Sequence, residues 1–197
     1  MKKALSLVLS VLLIVTIFSA CSAGPNSSLT EENVTSTVDA AFTALQEFDQ
    51  EALEKYVDSK TLDVIMDFAK DHEQFKALGK AIFGSLTYEI KSIDLENKTV
   101  TVSVKNKELS SIASNFTRKL LQEYSTLDLL AQLKSDLWLD NNLSVLTEQI
   151  SAAQMQNEGV EITLSIRQEK KNLVLSFNDE AENAVSGGAL SAIKDLI

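Results

Sequence analysis

The sequence predicts an α+β fold in which N-terminal helices pack on a curved antiparallel sheet of about four strands, with a helical insertion between two hairpins. Three observations predict this fold. Apolar residues recur at helical spacing from residue 30 to residue 83, and the period changes to two at Gly84. Two alternating stretches, 86–104 and 160–177, are separated by a further helical stretch at 107–157.

Residues that accept backbone hydrogen bonds mark the starts of the first three helices. Thr30, Asp49 and Ser59 are the predicted N-caps, and Glu31 and Glu32 stand where carboxylates suit the positive end of a helix dipole. A fourth helical segment is expected to end at Gly84. The apolar faces are predicted to hold Val34, Val38, Ala41, Phe42 and Leu45; Leu53 with Tyr56 or Val57; Leu62, Ile65, Met66 and Ala69; and Phe75, Leu78, Ile82 and Phe83.

The two alternating stretches predict hairpins that each bury one face. Apolar and polar residues alternate on both sides of the polar turn at 94–98, and again on both sides of the turn at 169–172. The predicted inward residues are Leu86, Tyr88, Ile90, Val100, Val102 and Val104 in the first hairpin, and Val160, Ile162, Leu164, Ile166, Leu173, Leu175 and Phe177 in the second.

The stretch at 107–157 is predicted to contain three apolar helical stripes, with breaks near Ser125 and at residues 140–142. The stripes hold Ile112, Phe116, Leu120 and Tyr124; Leu130, Leu133 and Leu137 with Trp138; and Val145, Leu146 and Ile150. Trp138, with Leu133 and Leu137, belongs either to the core or to an exposed face that binds a partner. An acid-rich segment from Asn178, a helix stop or tight turn at residues 187–188 and a short apolar tail follow. Residues 30–197 are long enough for one domain with a core of its own.

The first 21 residues carry the features of an export signal. Lys2 and Lys3 precede an apolar run, Ala4 to Phe18, that is short for a membrane span. The run ends in Phe18-Ser19-Ala20-Cys21, which resembles a bacterial lipobox. The resemblance implies a signal peptide at 1–20, lipid attachment at Cys21, a flexible tether at 21–29, and an extracytoplasmic protein anchored by lipid to the outer face of the cell membrane.

Cysteine usage agrees with this interpretation, because Cys21 is the only cysteine in the chain and has no partner for an intramolecular disulfide. The alternatives are an ordinary cleaved signal or a single anchor helix with an incidental cysteine. Removing residues 1–20 takes away two lysines and no acid, so the net charge changes from −10 to −12. Such a surface repels nucleic acid and anionic lipid, which leaves anchoring to the attached lipid.

Four segments behind the lipobox form a characteristic order of elements. They are AAFTALQEFDQEALEKYVD at 40–58, LTYEIKSIDLENKTVTVSV at 86–104, VEITLSIRQEKKNLVLSF at 160–177 and AVSGGALSAIKDL at 184–196. This order resembles the nuclear-transport-factor-2-like (cystatin-like) domains found in small lipoproteins of low-GC Gram-positive bacteria. The resemblance implies a pocket between sheet and helices, for which Tyr56 and Tyr88 are candidates. The superfamily holds enzymes, such as ketosteroid isomerase and scytalone dehydratase, and binding modules.

No residue pattern assigns a catalytic, metal or cofactor site. His72 is the only histidine, and Lys76 occupies the position where a zinc-protease helix needs its second histidine. His72 also lies in a charged segment without a nucleophile-elbow signature. The acids at 178–182 lack the spacing and glycine of a calcium loop, so they are predicted to begin a helix.

Three functions remain open. The first is a module of the cell envelope that binds an envelope protein or a small apolar ligand. The second is a secreted enzyme of isomerase or dehydratase type, which requires a desolvated carboxylate such as Asp39 or Asp63 near Tyr56 or Tyr88. The third is an envelope scaffold without a pocket.

Overall fold

The computed structural model describes residues 27–194. The apolar leader, Cys21 and most of the tether lie outside the described residues, so the predicted lipid attachment stays a prediction. Within residues 27–194, helices long and apolar enough to cross a membrane are absent.

The N-terminal helices begin at the predicted caps. The side-chain oxygens of Thr30, Asp49 and Ser59 each accept the backbone N–H of the residue three positions later. This bond satisfies a donor that the first turn of a helix leaves free. The helices are α1 (Glu31–Glu47), α2 (Gln50–Tyr56), α3 (Lys60–Asp71) and α4 (Glu73–Phe83).

The sheet is mixed and has five strands in the order β1-β5-β4-β3-β2. The prediction of about four antiparallel strands was wrong in one respect. The chain leaves α2 as a two-residue strand that pairs in parallel with β5, whereas all other pairs are antiparallel. Two residues are too short for alternation to reveal a strand. The strands are β1 (Val57–Asp58), β2 (Thr87–Asp94), β3 (Thr99–Lys105), β4 (Val160–Gln168) and β5 (Leu173–Ser176).

A β-bulge interrupts the alternation of β2. Ile90 pairs with Val102, but the next pair joins Ser92 to Thr101, which leaves Lys91 as an extra residue. The bulge resets the period, and Ile93 packs with the core although it lies three residues after Ile90.

Three helices form in the predicted insertion and two follow β5. The predicted break near Ser125 is confirmed. The break predicted at residues 140–142 was wrong, because the chain is helical from Asp136 to Ala152 and places Asp140 and Asn141 on its exposed side. The first helix of the C-terminal pair begins at the acid-rich segment, as predicted, and the second forms in the apolar tail. Asn178 caps the first of the pair by accepting the N–H of Ala181 at 2.9 Å. The helices are α5 (Ser110–Glu123), α6 (Thr126–Gln132), α7 (Asp136–Ala152), α8 (Asp179–Val185) and α9 (Ala189–Lys194). We call α5, α6, α7 and α9 the helical lobe.

Two apolar cores lie side by side. The sheet core is formed by α1 to α3, α8 and one face of the sheet, where Val102 and Leu164 are fully or almost fully buried. The other face of the sheet is polar, with exposed Thr163 and Ser165. The lobe core is formed mainly by α5 and α7, and Phe75 and Ile82 of α4 pack against both cores. Helix α4 is therefore the wall between them.

Asn106 and Gly187 join the lobe to the sheet. Asn106 is fully buried, and its side-chain amide donates to the carbonyls of Ile82 at 2.9 Å and Val185 at 2.6 Å. Gly187 has a φ of 61°, and a Cβ at this position would lie 1.9 Å from the Lys107 carbonyl oxygen. The predicted helix stop is confirmed, since α8 ends here and the backbone conformation requires glycine.

The chain enters the domain at one end of the sheet, and the helical lobe is connected to the opposite end. Gln168, at the end of β4, donates to the Ser27 carbonyl at 3.0 Å. Helix α1 then runs for 17 residues, about 25 Å, to the opposite end, where Gln46 donates to the Leu86 carbonyl at 2.6 Å. That end also holds the pair of Thr87 with Lys105, from which the chain continues into the lobe.

Candidate ligand-binding cavity

An apolar cavity of about 210 Å³ lies where α4 faces the helical lobe. Helix α4 contributes Phe75 and Leu78, α5 contributes Ile112 and Phe116, and α7 contributes Leu146. Phe75, Ile112 and Phe116 are partly exposed while Leu146 is buried, so the cavity runs from the surface into the lobe.

Helical periodicity explains the walls. The lining residues of α4 and α5 recur three and four positions apart, so each helix turns one apolar stripe toward the cavity. Small residues leave the space between the stripes. Gly79 lies on α4 and Ala113 on α5, and both line the cavity. Gly79 also lets α4 approach the sheet core, since a Cβ there would lie 2.5 Å from the ring of Phe48.

The interior of the cavity has no ionisable lining among the described residues, and two of its lining side chains are hydroxyls. Ser186 is buried, and its hydroxyl donates to the Asn183 carbonyl at 3.0 Å and accepts the Leu190 N–H at 3.3 Å. Thr117 is partly exposed, and its hydroxyl makes no hydrogen bond within residues 27–194. Such a site suits an uncharged apolar molecule.

Polar contacts join α4 to α7, two of the helices that line the cavity. His72 Nδ1 lies 2.8 Å from Asp136 Oδ1, and Gln74 donates to Asp140 at 2.5 Å. Both carboxylates belong to the first two turns of α7, and both partners stand at the start of α4. His72 shows no catalytic pattern in the sequence, and the structure places it in a contact between α4 and α7.

The two tyrosines named from the sequence lie on the sheet side of α4. Tyr56 is 7% exposed and belongs to the sheet core. Tyr88 stacks on Phe42 with ring centroids 4.4 Å apart and donates to Asp39 at 2.8 Å. Burial, followed by this hydrogen bond, raises the pKa of Tyr88 well above its usual value, so the phenol stays protonated. Neither tyrosine lines the apolar cavity.

Of the two acids considered for an enzyme, only Asp39 meets a tyrosine in the described part of the chain. It binds Tyr88 at β2, an edge strand of the sheet. Asp63 lies on the exposed side of α3, where partial burial and then Asp58, Asp67 and other acids raise its pKa. Neither acid lines the apolar cavity, so the Asp39–Tyr88 pair and the cavity are separate features.

The acid-rich segment begins a helix, as the sequence predicted, and one of its acids has a structural partner. Glu182 is 4% exposed, and its carboxylate accepts the hydroxyls of Ser59 at 2.5 Å and Thr61 at 2.6 Å. It thereby ties α8 to the start of α3, where the helix dipole favours a negative charge. Within residues 27–194, no group of three or more His, Cys, Asp or Glu side chains is placed so that it could hold a metal ion.

Comparisons with protein-family models, with curated proteins and with solved structures find no match to this chain. The lipobox and the likeness to nuclear-transport-factor-2-like domains stay predictions that rest on the sequence segments quoted above.

Trp138 is a core residue, with 8% exposure and an indole N–H that donates to the Tyr124 hydroxyl at 3.1 Å. Its neighbour Leu137 is 72% exposed, and Leu127 and Leu130 on α6 are 80% and 53% exposed. We call these three residues the leucine patch. The sequence had grouped Leu137 with Trp138, but residues one position apart on a helix point in different directions.

The sequence identified Leu78, Ile82, Ile112 and Phe116 as apolar stripes but not as a cavity. Helical spacing shows which residues share an apolar stripe. It does not show that the stripes of α4 and α5 face each other, because that depends on contacts between residues about 35 positions apart. The sequence signal that could have indicated a cavity was the presence of the small residues Gly79 and Ala113 within apolar stripes.

Proposed function

We propose that this protein is a lipid-anchored, extracytoplasmic module of the cell envelope that binds a small apolar molecule. The observation that carries the binding role is the cavity of about 210 Å³, which is walled by apolar side chains and reaches the surface. A cavity of this kind excludes water from the ligand, which is the main source of affinity for apolar molecules. The leader and Cys21 support the anchored, extracytoplasmic location.

The arrangement of the domain supports a ligand taken from the side away from the membrane. Ser27, near the end of the tether, contacts Gln168, whereas the cavity lies beyond the other end of α1, a helix about 25 Å long. A lipid on Cys21 would hold the first of these ends close to the membrane, because the tether at 21–29 is short.

The binding role is tested by filling the cavity. Ala113→Leu adds three carbons to a lining position, while Ala77→Leu makes the same change on the exposed side of α4. We expect native mass spectrometry of the full chain, extracted from membranes in mild detergent, to detect a bound neutral molecule in the unaltered protein and in Ala77→Leu. The molecule should be missing from Ala113→Leu. Equal occupancy in all three proteins would contradict the assignment of the cavity.

The anchor is tested separately by the mass of the N-terminal peptide. We expect the peptide beginning at Cys21 to carry diacylglycerol, and we expect Cys21→Ser to release the protein from the membrane fraction. An unmodified Cys21, or a chain cleaved elsewhere, would contradict the proposed anchor, but it would leave the proposed binding role of the cavity unaffected.

An envelope scaffold is the second candidate function, and the leucine patch favours it. Leu127, Leu130 and Leu137 expose more than half of their surface on one short segment of the lobe. A protein partner held there should be lost when Leu127 and Leu130 are both changed to Ser, as measured by cross-linking in intact cells. Val64→Ser is the control, because Val64 is 58% exposed on α3, outside the patch.

A further inference from the structure

We propose that the ligand of the cavity is an uncharged molecule of about two fused rings, apolar except for one group that hydrogen-bonds to Thr117. This inference rests on the proposed binding function and specifies its ligand class. It is carried by the volume of the cavity, by the chemistry of its lining and by the Thr117 hydroxyl, which makes no hydrogen bond within residues 27–194.

The volume sets the size of the ligand. A protein cavity of about 150 Å³ holds benzene. The present cavity, at about 210 Å³, is about 1.4 times larger, so it has room for more than one six-membered ring. It is smaller than the ~300 Å³ at which sites for drug-sized ligands begin. A fused pair of small rings, with about nine or ten non-hydrogen atoms, lies between these limits.

The lining sets the charge of the ligand. Within the described residues, charged side chains are absent from the walls. An ion placed there would lose its hydration without a counter-charge, at a cost larger than a molecule of this size can recover by burying apolar surface. Fatty acids, amino acids and phosphorylated molecules are therefore excluded from the interior.

The aromatic walls favour a flat ligand. Phe75 and Phe116 line the cavity on two different helices. The ring of Phe75 is already held by Phe68, with centroids 5.3 Å apart and an angle of 30° between the planes. A ring fixed in this way can make edge-to-face or offset contacts with a planar ligand at little entropic cost.

The hydroxyls set the position of the polar group. The Ser186 hydroxyl already donates one hydrogen bond and accepts another, so it is occupied. The Thr117 hydroxyl lines the same cavity, is partly exposed and makes no hydrogen bond within residues 27–194. One donor or acceptor on the ligand can pair with it, while the remainder of the molecule stays against apolar side chains.

The test compares indole with indene, which has nearly the same shape but lacks the ring N–H. Affinities are measured by titration calorimetry on the full chain in detergent, for the unaltered protein, Thr117→Val and Thr117→Ser. One hydrogen bond corresponds to an affinity difference of about 2- to 10-fold in favour of indole. We expect this preference in the unaltered protein and in Thr117→Ser. In Thr117→Val, indole should weaken to the level of indene, and unchanged indene binding shows that the variant is folded.

Each contrary outcome has its own meaning. Equal binding of indole and indene by the unaltered protein, or a preference that survives in Thr117→Val, would overturn the role of Thr117 and leave the binding function standing. Indole-3-acetate binding as tightly as indole would overturn the requirement for an uncharged ligand. If neither indole nor indene binds at all, the proposed function itself fails.

Discussion

Glu182 shows how a single buried carboxylate can fix the arrangement of distant segments. It is almost fully buried, and its two oxygens accept the Ser59 and Thr61 hydroxyls and the Thr61 N–H, 121 to 123 positions away in sequence. A charge in such a place is tolerated because its acceptors are all used and because it faces the start of α3. The role of Glu182 is therefore to connect α8 to the start of α3.

Replacing Glu182 with Gln should destabilise the protein by about 1–3 kcal/mol. The amide has one acceptor oxygen in place of two, and its NH₂ group has to face a hydroxyl donor in a buried site. The free energy of unfolding in urea measures the effect. Glu180→Gln is the matched control, because Glu180 lies two positions earlier and is exposed, and it should change stability by less than ~0.5 kcal/mol. Equal effects of the two changes would show that Glu182 has no special role.

Tyr88 connects α1 to the edge of the sheet, and the state of its phenol should make this connection sensitive to high pH. The pKa of Tyr88 is raised by burial and by the hydrogen bond to Asp39, while in the unfolded chain it keeps its usual value of 10.0. Between these two pKa values the folded protein holds a proton that the unfolded chain releases. The contribution to stability is therefore complete below pH 10 and is lost as the pH rises above it.

In Tyr88→Phe this component of the pH dependence should disappear. Above pH 10 the unfolding free energy of the unaltered protein should fall more steeply than that of Tyr88→Phe, by up to about 1.4 kcal/mol per pH unit. At neutral pH the variant should lose about 1 kcal/mol for the missing hydrogen bond. Urea unfolding at several pH values measures both effects, with Tyr124→Phe in the helical lobe as the control. Parallel curves for Tyr88→Phe and the unaltered protein would contradict the prediction.

At the scale of whole elements, the sequence predicted those features that depend on near neighbours. The caps Thr30, Asp49 and Ser59 and the two alternating hairpins could be predicted because a cap and an inward-facing row involve residues a few positions apart. The parallel pairing of β1 with β5 was missed, since Val57 and its partner Leu175 are far apart in sequence. The bulge at Lys91 was also missed, because alternation does not indicate where a strand gains a residue.

The candidate site was less predictable than the fold for the same reason. Spacing placed Leu78 and Phe116 on apolar stripes, but a cavity exists only where two stripes fail to fill the space between them. That outcome depends on the volumes of Gly79 and Ala113 and on the approach of α4 to Phe48. The resemblance to nuclear-transport-factor-2-like domains implied a pocket between sheet and helices, whereas the apolar cavity lies between helices.

At the scale of the whole molecule, the two ends of the sheet have different roles. The tether reaches the domain beside Gln168, and the lobe with its cavity lies at the far end of α1. If the protein is anchored by lipid at Cys21 as proposed, this arrangement would direct the cavity mouth and the leucine patch away from the membrane.

The orientation can be measured with the natural tryptophan, since Trp138 is the only one in the chain and lies in the helical lobe. The lipidated protein is placed in vesicles with dansylated head groups, and energy transfer from tryptophan to dansyl, which falls steeply with distance, is recorded. The comparison protein carries Trp138→Phe with Glu169→Trp, which moves the donor to the β4–β5 turn beside the tether. We expect strong transfer from position 169 and weak transfer from Trp138, because about 25 Å of α1 separates the two ends of the domain. Equal transfer from both positions would mean that the domain lies flat on the membrane, and the cavity would then be positioned to take its ligand from the lipid surface.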